Sequence, residues 1–197
     1  MNKCPRISPS SESDPVYNPL TYNTTKRIRR SHNCFAYAFN HMDIPPESDC
    51  NESGCNMPFH QPGRKSGFPT WDSVKGQRCP DILARIMADV PGVTRSTFTQ
   101  KCPKGSSKIA YVTAPYRDYH FYRKDKGRLW SHKPGASHVT QVDALGHLIY
   151  DPKLAARDYS KTDGLLNYSN FCGYVCAPRQ KHKFKRGGSS TRKKAKK

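Results

Sequence analysis

Long apolar runs are missing from this sequence. No stretch reaches the roughly 18 consecutive apolar residues that a membrane span needs, so no transmembrane helix is expected. The first residues, MNKCPRISPSSESDP, contain no apolar segment of the secretory kind. An intracellular location, cytoplasmic or within a virion, is therefore the expectation. In a reducing compartment, cysteines serve more often as thiols or ligands than as bridges. Apolar residues make up only 35% of the chain and the mean hydropathy is −0.87, so part of its length is not expected to pack. Acidic residues are also scarce: 15 Asp and Glu stand against 34 Lys and Arg, a net charge of +19. That imbalance points to polyanionic partners. No internal repeat is evident, and 197 residues suit one domain with tails.

What is present divides the chain unevenly. Residues 1–30 form a Pro/Ser-rich arm ending in the basic run KRIRR at 26–30, and residues 31–178 read as one domain. Residues 179–197, RQKHKFKRGGSSTRKKAKK, carry ten basic residues and no acid, the composition of a solvated, disordered tail. Within the domain, NCFAYAFNHM at 33–42 reads as a helix, and residues 43–78 as a long irregular loop rich in Pro, Gly, Asn and Ser. CPDILARIMADV at 79–90 places Ile82, Leu83, Ile86 and Val90 at helical spacing, with Pro80 in the first turn and Pro91-Gly92 as the stop. From residue 108 the pattern turns to strands. KIAYVTAP comes first, then DYHFYR and RLWSHKP around a KDKG turn, then VTQVDALGHLIYDP with DALG as its turn, and NYSNFCGYVCAP last. Helix, loop, helix and antiparallel meander make an α+β fold.

Cys34 opens the first helix, where Ser31, His32 or Asn33 provides an N-cap. A thiol there sits at the positive end of the helix dipole, which favours thiolate. Alternatively, Cys34 is a small buried hydrophobe beginning a core helix. A nucleophilic cysteine needs a base. With the hairpin centred on Lys126, His120 faces His132 and Tyr122 faces Trp130, with paired Cβ atoms about 5 Å apart. A one-residue slip leaves the two histidines diagonal neighbours. His120 is then the candidate base and His132 the group that orients it. The backbone N–H of Cys34 and the Asn33 side chain are candidate oxyanion donors, with Asn33 equally suited to capping alone.

The motifs NCFAYAFN, DYHFYR, WSHKPG, VDALGHLIYDP and YSNFCGYVCAP, in that order over 33–178, resemble the papain-like cysteine peptidase superfamily. They are most similar to its NlpC-type group, in a subset found in bacteria and large DNA viruses. The resemblance implies a small papain-like core and a Cys34-His120-His132 triad acting on a peptide or amide substrate. The products would be those of a hydrolase (amidase or peptidase) or of an acyltransferase. No cofactor and no metal is implied. The alternative is a non-catalytic structural or packaging protein on the same fold, such as a virion component.

The other cysteines leave several arrangements open. Cys50-x4-Cys55 and Cys172-x3-Cys176 have spacings seen in zinc sites. A regular strand, however, would hold Cys172 and Cys176 about 13 Å apart unless Gly173 breaks it. Disulfides are the second arrangement and unpaired thiols the favoured one. His60, His138 and His147 lie beside turn residues and read as exposed. Tyr116, Tyr119, Phe121, Tyr122 and Trp130 have the makings of a base-stacking sheet, but core packing is the commoner role for such residues. Contact with nucleic acid or an acidic protein falls to the tail: Lys181, Lys183, Lys185, Arg186, Arg192, Lys193, Lys194, Lys196 and Lys197.

Overall fold

A computed structural model describes residues 6–51, 54–71, 76–161, 166–180 and 184–185. Two short helices, α1 (Leu20–Asn23) and α2 (Lys26–Ser31), precede α3 (Cys34–Ala38). The last of these is shorter than the 33–42 run suggested. Asn33 caps it, its side chain accepting from the Ala36 N–H at 3.1 Å. Asn40, at φ 55°, ends it in the left-handed conformation that asparagine tolerates. Helix α4 (Cys79–Asp89) follows the expected periodicity and buries Ile82, Leu83 and Ile86, with Val90 just beyond its end.

Five strands make one antiparallel sheet: β1 (Thr94–Ser96), β2 (Ser106–Ala114), β3 (Asp118–Lys124), β4 (Trp130–His132) and β5 (Asn170–Pro178). The spatial order is β1-β5-β2-β3-β4. The fold is thus α+β, and β2-β3-β4 is a meander. The last strand does not extend that meander but returns to the opposite side and inserts between β1 and β2. The DALG segment forms isolated bridges, such as Val142 with Leu148, instead of full strands.

Both faces of the sheet are covered. Ile109, Tyr111, Phe121, Val175 and Ala177 pack under α3 and α4 on one side. Ala110, Val112, Tyr122, Trp130 and Tyr174 pack with Phe98, Ile149 and Tyr168 on the other. Burial on two faces explains the near-continuous β-forming run of β2, whose residues are buried from Ser107 to Ala114.

The hairpin register differs from the expected one. Tyr122 pairs with His132 and Lys124 with Trp130. The turn therefore centres on Gly127, which takes φ 104°, a conformation that favours glycine. His120 and His132 are diagonal neighbours, and Tyr122 faces His132 rather than Trp130.

Two further expectations are corrected. The N-terminal arm is packed against the domain from residue 6 onward. Ser8, Ser11 and Asp14 are buried, and Tyr22 clusters with Tyr37 and Val139. Lys133 Nζ donates to the carbonyls of Arg29 (2.6 Å), His32 (2.5 Å) and Gly135 (2.7 Å), fastening the arm to the sheet. Six cysteines are also not thiols: Cys50–Cys55, Cys79–Cys172 and Cys102–Cys176 are disulfides. A β-bulge explains the last two. Tyr111 pairs with Gly173 but Val112 pairs with Phe171, so one extra residue interrupts the ladder and reverses the alternation of side chains. Cys172 consequently lies on the helical side, beside the start of α4, whereas Cys176 turns with Tyr174 to the other face.

Candidate functional site

Cys34 begins α3, His120 lies on β3 and His132 ends β4. Cys34 and His120 both line a cavity of about 130 Å³ together with Asn33, Phe59, Gln61, Asp118, Tyr119, Gly135 and Tyr168. His120 Nε2 and His132 Nδ1 are 2.8 Å apart, and His132 Nε2 lies 2.9 Å from the Val142 carbonyl. A carbonyl only accepts, so in the neutral ring the proton of His132 sits on Nε2. Its Nδ1 must then accept from His120 Nε2–H, which leaves His120 Nδ1 as a lone pair. The Cys34 thiol reaches the Tyr119 carbonyl, at 3.9 Å, and makes no hydrogen bond to either imidazole.

The electrostatics run against an activated thiol. Burial, reinforced by the nearby Asp118 carboxylate, pushes Cys34 up to about 12. At about 1.4 kcal/mol per pH unit, that desolvation outweighs the roughly 0.3–2 kcal/mol that a helix dipole supplies, and α3 has only five residues. Burial also holds His132 down to about 4. His120 stays well below its ordinary range through burial and the neighbouring His132. Near pH 7 all three groups are neutral. Asn33 is engaged at both ends: Oδ1 accepts from Ala36 N–H, and Nδ2 donates to the His60 carbonyl at 2.9 Å. It serves as a cap and a tether, using Oδ1 and one of its two Nδ2 hydrogens.

A second cluster lies nearby. His60, expected at the surface, is fully buried, and His41 is 4% exposed. Their Nε2 atoms are 2.9 Å apart. Asp43 Oδ2 lies 3.3 Å from His60 Nε2, and Asp43 Oδ1 lies 3.7 Å from His41 Nε2. His32 Nδ1 donates to the Ile28 carbonyl (2.9 Å), so its Nε2 accepts the Asp43 backbone N–H at 3.1 Å. The sequence signal was faint: a His-x-Asp pair at 41–43 and a histidine within a Pro/Gly-rich loop.

The sheet aromatics provide no stacking surface. Tyr119, Phe121, Tyr122 and Trp130 are all buried, and only Tyr116 of that group is exposed. Of the basic tail residues, Lys185 is exposed; Lys181, Lys183, Arg186, Arg192, Lys193, Lys194, Lys196 and Lys197 lie outside the described residues. Arg29 and Arg30, from the KRIRR run, line an open cleft of about 550 Å³ together with Ser137 and His138. No helix among the described residues is long and apolar enough to cross a membrane.

These features define a disulfide-stapled α+β domain whose free cysteine, among the described residues, is buried and protonated. No protein-family model and no solved structure matches the chain. It is 31% identical over 160 residues to insoluble matrix shell protein 1 of Ruditapes philippinarum, across 81% of this chain and 87% of that protein. The chain belongs to the family of that shell matrix protein. This relationship overturns the thiol hydrolase expectation, since the relative is described as a component of an insoluble shell matrix and not as a peptidase.

Proposed function

We propose that this chain is a non-catalytic structural component of an insoluble extracellular matrix of the shell type. The observation that carries this reading is its kinship, over most of both chains, with a shell matrix protein. Three disulfides support it, because such bridges form and persist outside reducing compartments. The neutral, enclosed Cys34 fits a chain without thiol chemistry. On this reading the likeness to papain-like proteins is one of scaffold alone. The basic segments, KRIRR beside its cleft and the C-terminal run, engage acidic macromolecules of the matrix by charge.

The test is immunodetection in the source organism. Antibody against the folded chain is applied to cell extract, to soluble extracellular extract and to the residue left after acid demineralisation and detergent washing. The proposal expects the protein in the insoluble residue, released by denaturant plus reductant. Recovery from the cytosol with its cysteines reduced would overturn it.

A further inference from the structure

We propose that His41, Asp43 and His60 form a binding site for a divalent cation of the zinc class. One ligand atom from each lies within 4.8 Å of those of the other two. The two Nε2 atoms are 2.9 Å apart, and the Asp43 carboxylate closes the third side at 3.3 and 3.7 Å. A proton shared between two imidazoles suits this arrangement poorly. Whichever Nε2 lacks the proton accepts from the other ring but also turns a lone pair toward an Asp43 oxygen 3.3 to 3.7 Å away. A cation turns all three into donors toward one centre.

The chemistry of the donor set selects the metal. Calcium takes six to eight oxygen ligands and magnesium an octahedron of oxygens, so two imidazoles and one carboxylate suit neither. The same three groups are ordinary zinc ligands, with a fourth position left to solvent or another donor. Access is available because the Asp43 side chain is 44% exposed while both histidines are enclosed.

The backbone that carries each ligand is fixed by hydrogen bonds. Asn33 Nδ2 donates to the His60 carbonyl, and Tyr22 OH donates to the His41 carbonyl at 3.0 Å. The His41 N–H donates to Ala36 O at 2.8 Å, which fixes its direction off the end of α3. His32 receives the Asp43 N–H. The cation would thus tie the far end of the irregular 43–60 segment to α3, a staple additional to the Cys50–Cys55 bridge within that segment. The inference does not depend on the matrix assignment.

The experiment uses the full-length oxidised chain, loaded with zinc chloride and dialysed against metal-free buffer. Atomic emission should find one zinc per chain, zinc should raise the melting temperature, and cobalt loading should give the visible absorption of a tetrahedral site. Asp43→Asn, at a half-exposed position, should weaken zinc binding at least about ten-fold and abolish the thermal shift. His60→Asn should bind none. Cys34→Ser should bind as the parent does, which excludes the other His/Cys cluster. If His60→Asn fails to fold, the Asp43→Asn titration decides alone. Failure of the parent chain to retain zinc, or undiminished affinity in Asp43→Asn, overturns the site.

Discussion

His132 is the residue at which burial and protonation meet most directly. Its Nε2–H is committed to the Val142 carbonyl and its Nδ1 to His120, so the ring has no room for a second proton. Burial holds it down to about 4, against an ordinary value of 6.5. The unfolded chain therefore takes up a proton as pH falls through 6.5, whereas the folded chain refuses it until about 4. More protons bound in the unfolded state means that stability is full above pH 6.5 and is lost on acidification toward pH 4. For this one group the loss is roughly 3 kcal/mol. In urea titrations the parent chain should lose stability steeply between pH 6.5 and 4. His132→Asn, whose amide oxygen still accepts from His120, should begin less stable at pH 7 and lose distinctly less over the same window. Parallel curves for the two proteins would refute the assignment. Proximity at this scale was partly legible in the sequence: the hairpin brought the two histidines together, although Gly127 shifted their register. The charge state was not legible, because it follows from tertiary burial that no local pattern records. The same holds for Cys34, whose place at a helix start was readable and whose desolvation was not.

At the scale of elements, local periodicity and long-range pairing divide what the sequence reveals. Helix α4 was readable because Ile82, Leu83, Ile86 and Val90 repeat within one turn of each other. The return of β5 to the far side of β2 was not, since strand order depends on partners some sixty residues away. Nor were the disulfides, because the bulge that sends Cys172 and Cys176 to opposite faces exists only through the pairing of β5 with β2. Gly173 was the single visible clue, and its φ of 136° is the conformation that marks the bulge. The two staples on β5 close long segments, Cys79 and Cys172 standing 93 positions apart and Cys102 and Cys176 74 apart. Cys50 and Cys55 are only five apart. Loop-closure entropy in the unfolded chain grows with that separation. Replacing Cys79 and Cys172 together by alanine should therefore cost about 2–5 kcal/mol in denaturant unfolding. The matching Cys50/Cys55 variant should cost clearly less. An equal or reversed order would show that the β5 staples do not constrain the unfolded chain as argued.

For the whole molecule, composition located the charge correctly but drew the limits of the packed body too narrowly. Residues 1–30 read as a Pro/Ser-rich arm outside the domain, yet Ser8, Ser11 and Asp14 are buried against its β2 side. There Lys108 Nζ donates to Ser8 Oγ at 2.9 Å. At the other end, Phe184 lies within the run that composition marks as tail, and it is 8% exposed among Phe35, Phe39 and His41. The packed body thus reaches at least residue 184, and a cut at Pro178 would remove an aromatic core residue along with the charges. A cut after Lys185 separates the two roles. It deletes six basic residues, Arg186, Arg192, Lys193, Lys194, Lys196 and Lys197, and leaves Phe184 in place. On immobilised polyaspartate, the shortened chain should elute at lower salt, with a shallower dependence of retention on salt concentration, because fewer counterions are released on binding. Its unfolding midpoint should match that of the full chain. Phe184→Ala should do the reverse, leaving retention unchanged and costing about 3–5 kcal/mol of stability. If the shortened chain is retained as strongly as the parent, the acidic partner is held elsewhere, and the KRIRR cleft lined by Arg29 and Arg30 becomes the surface to mutate.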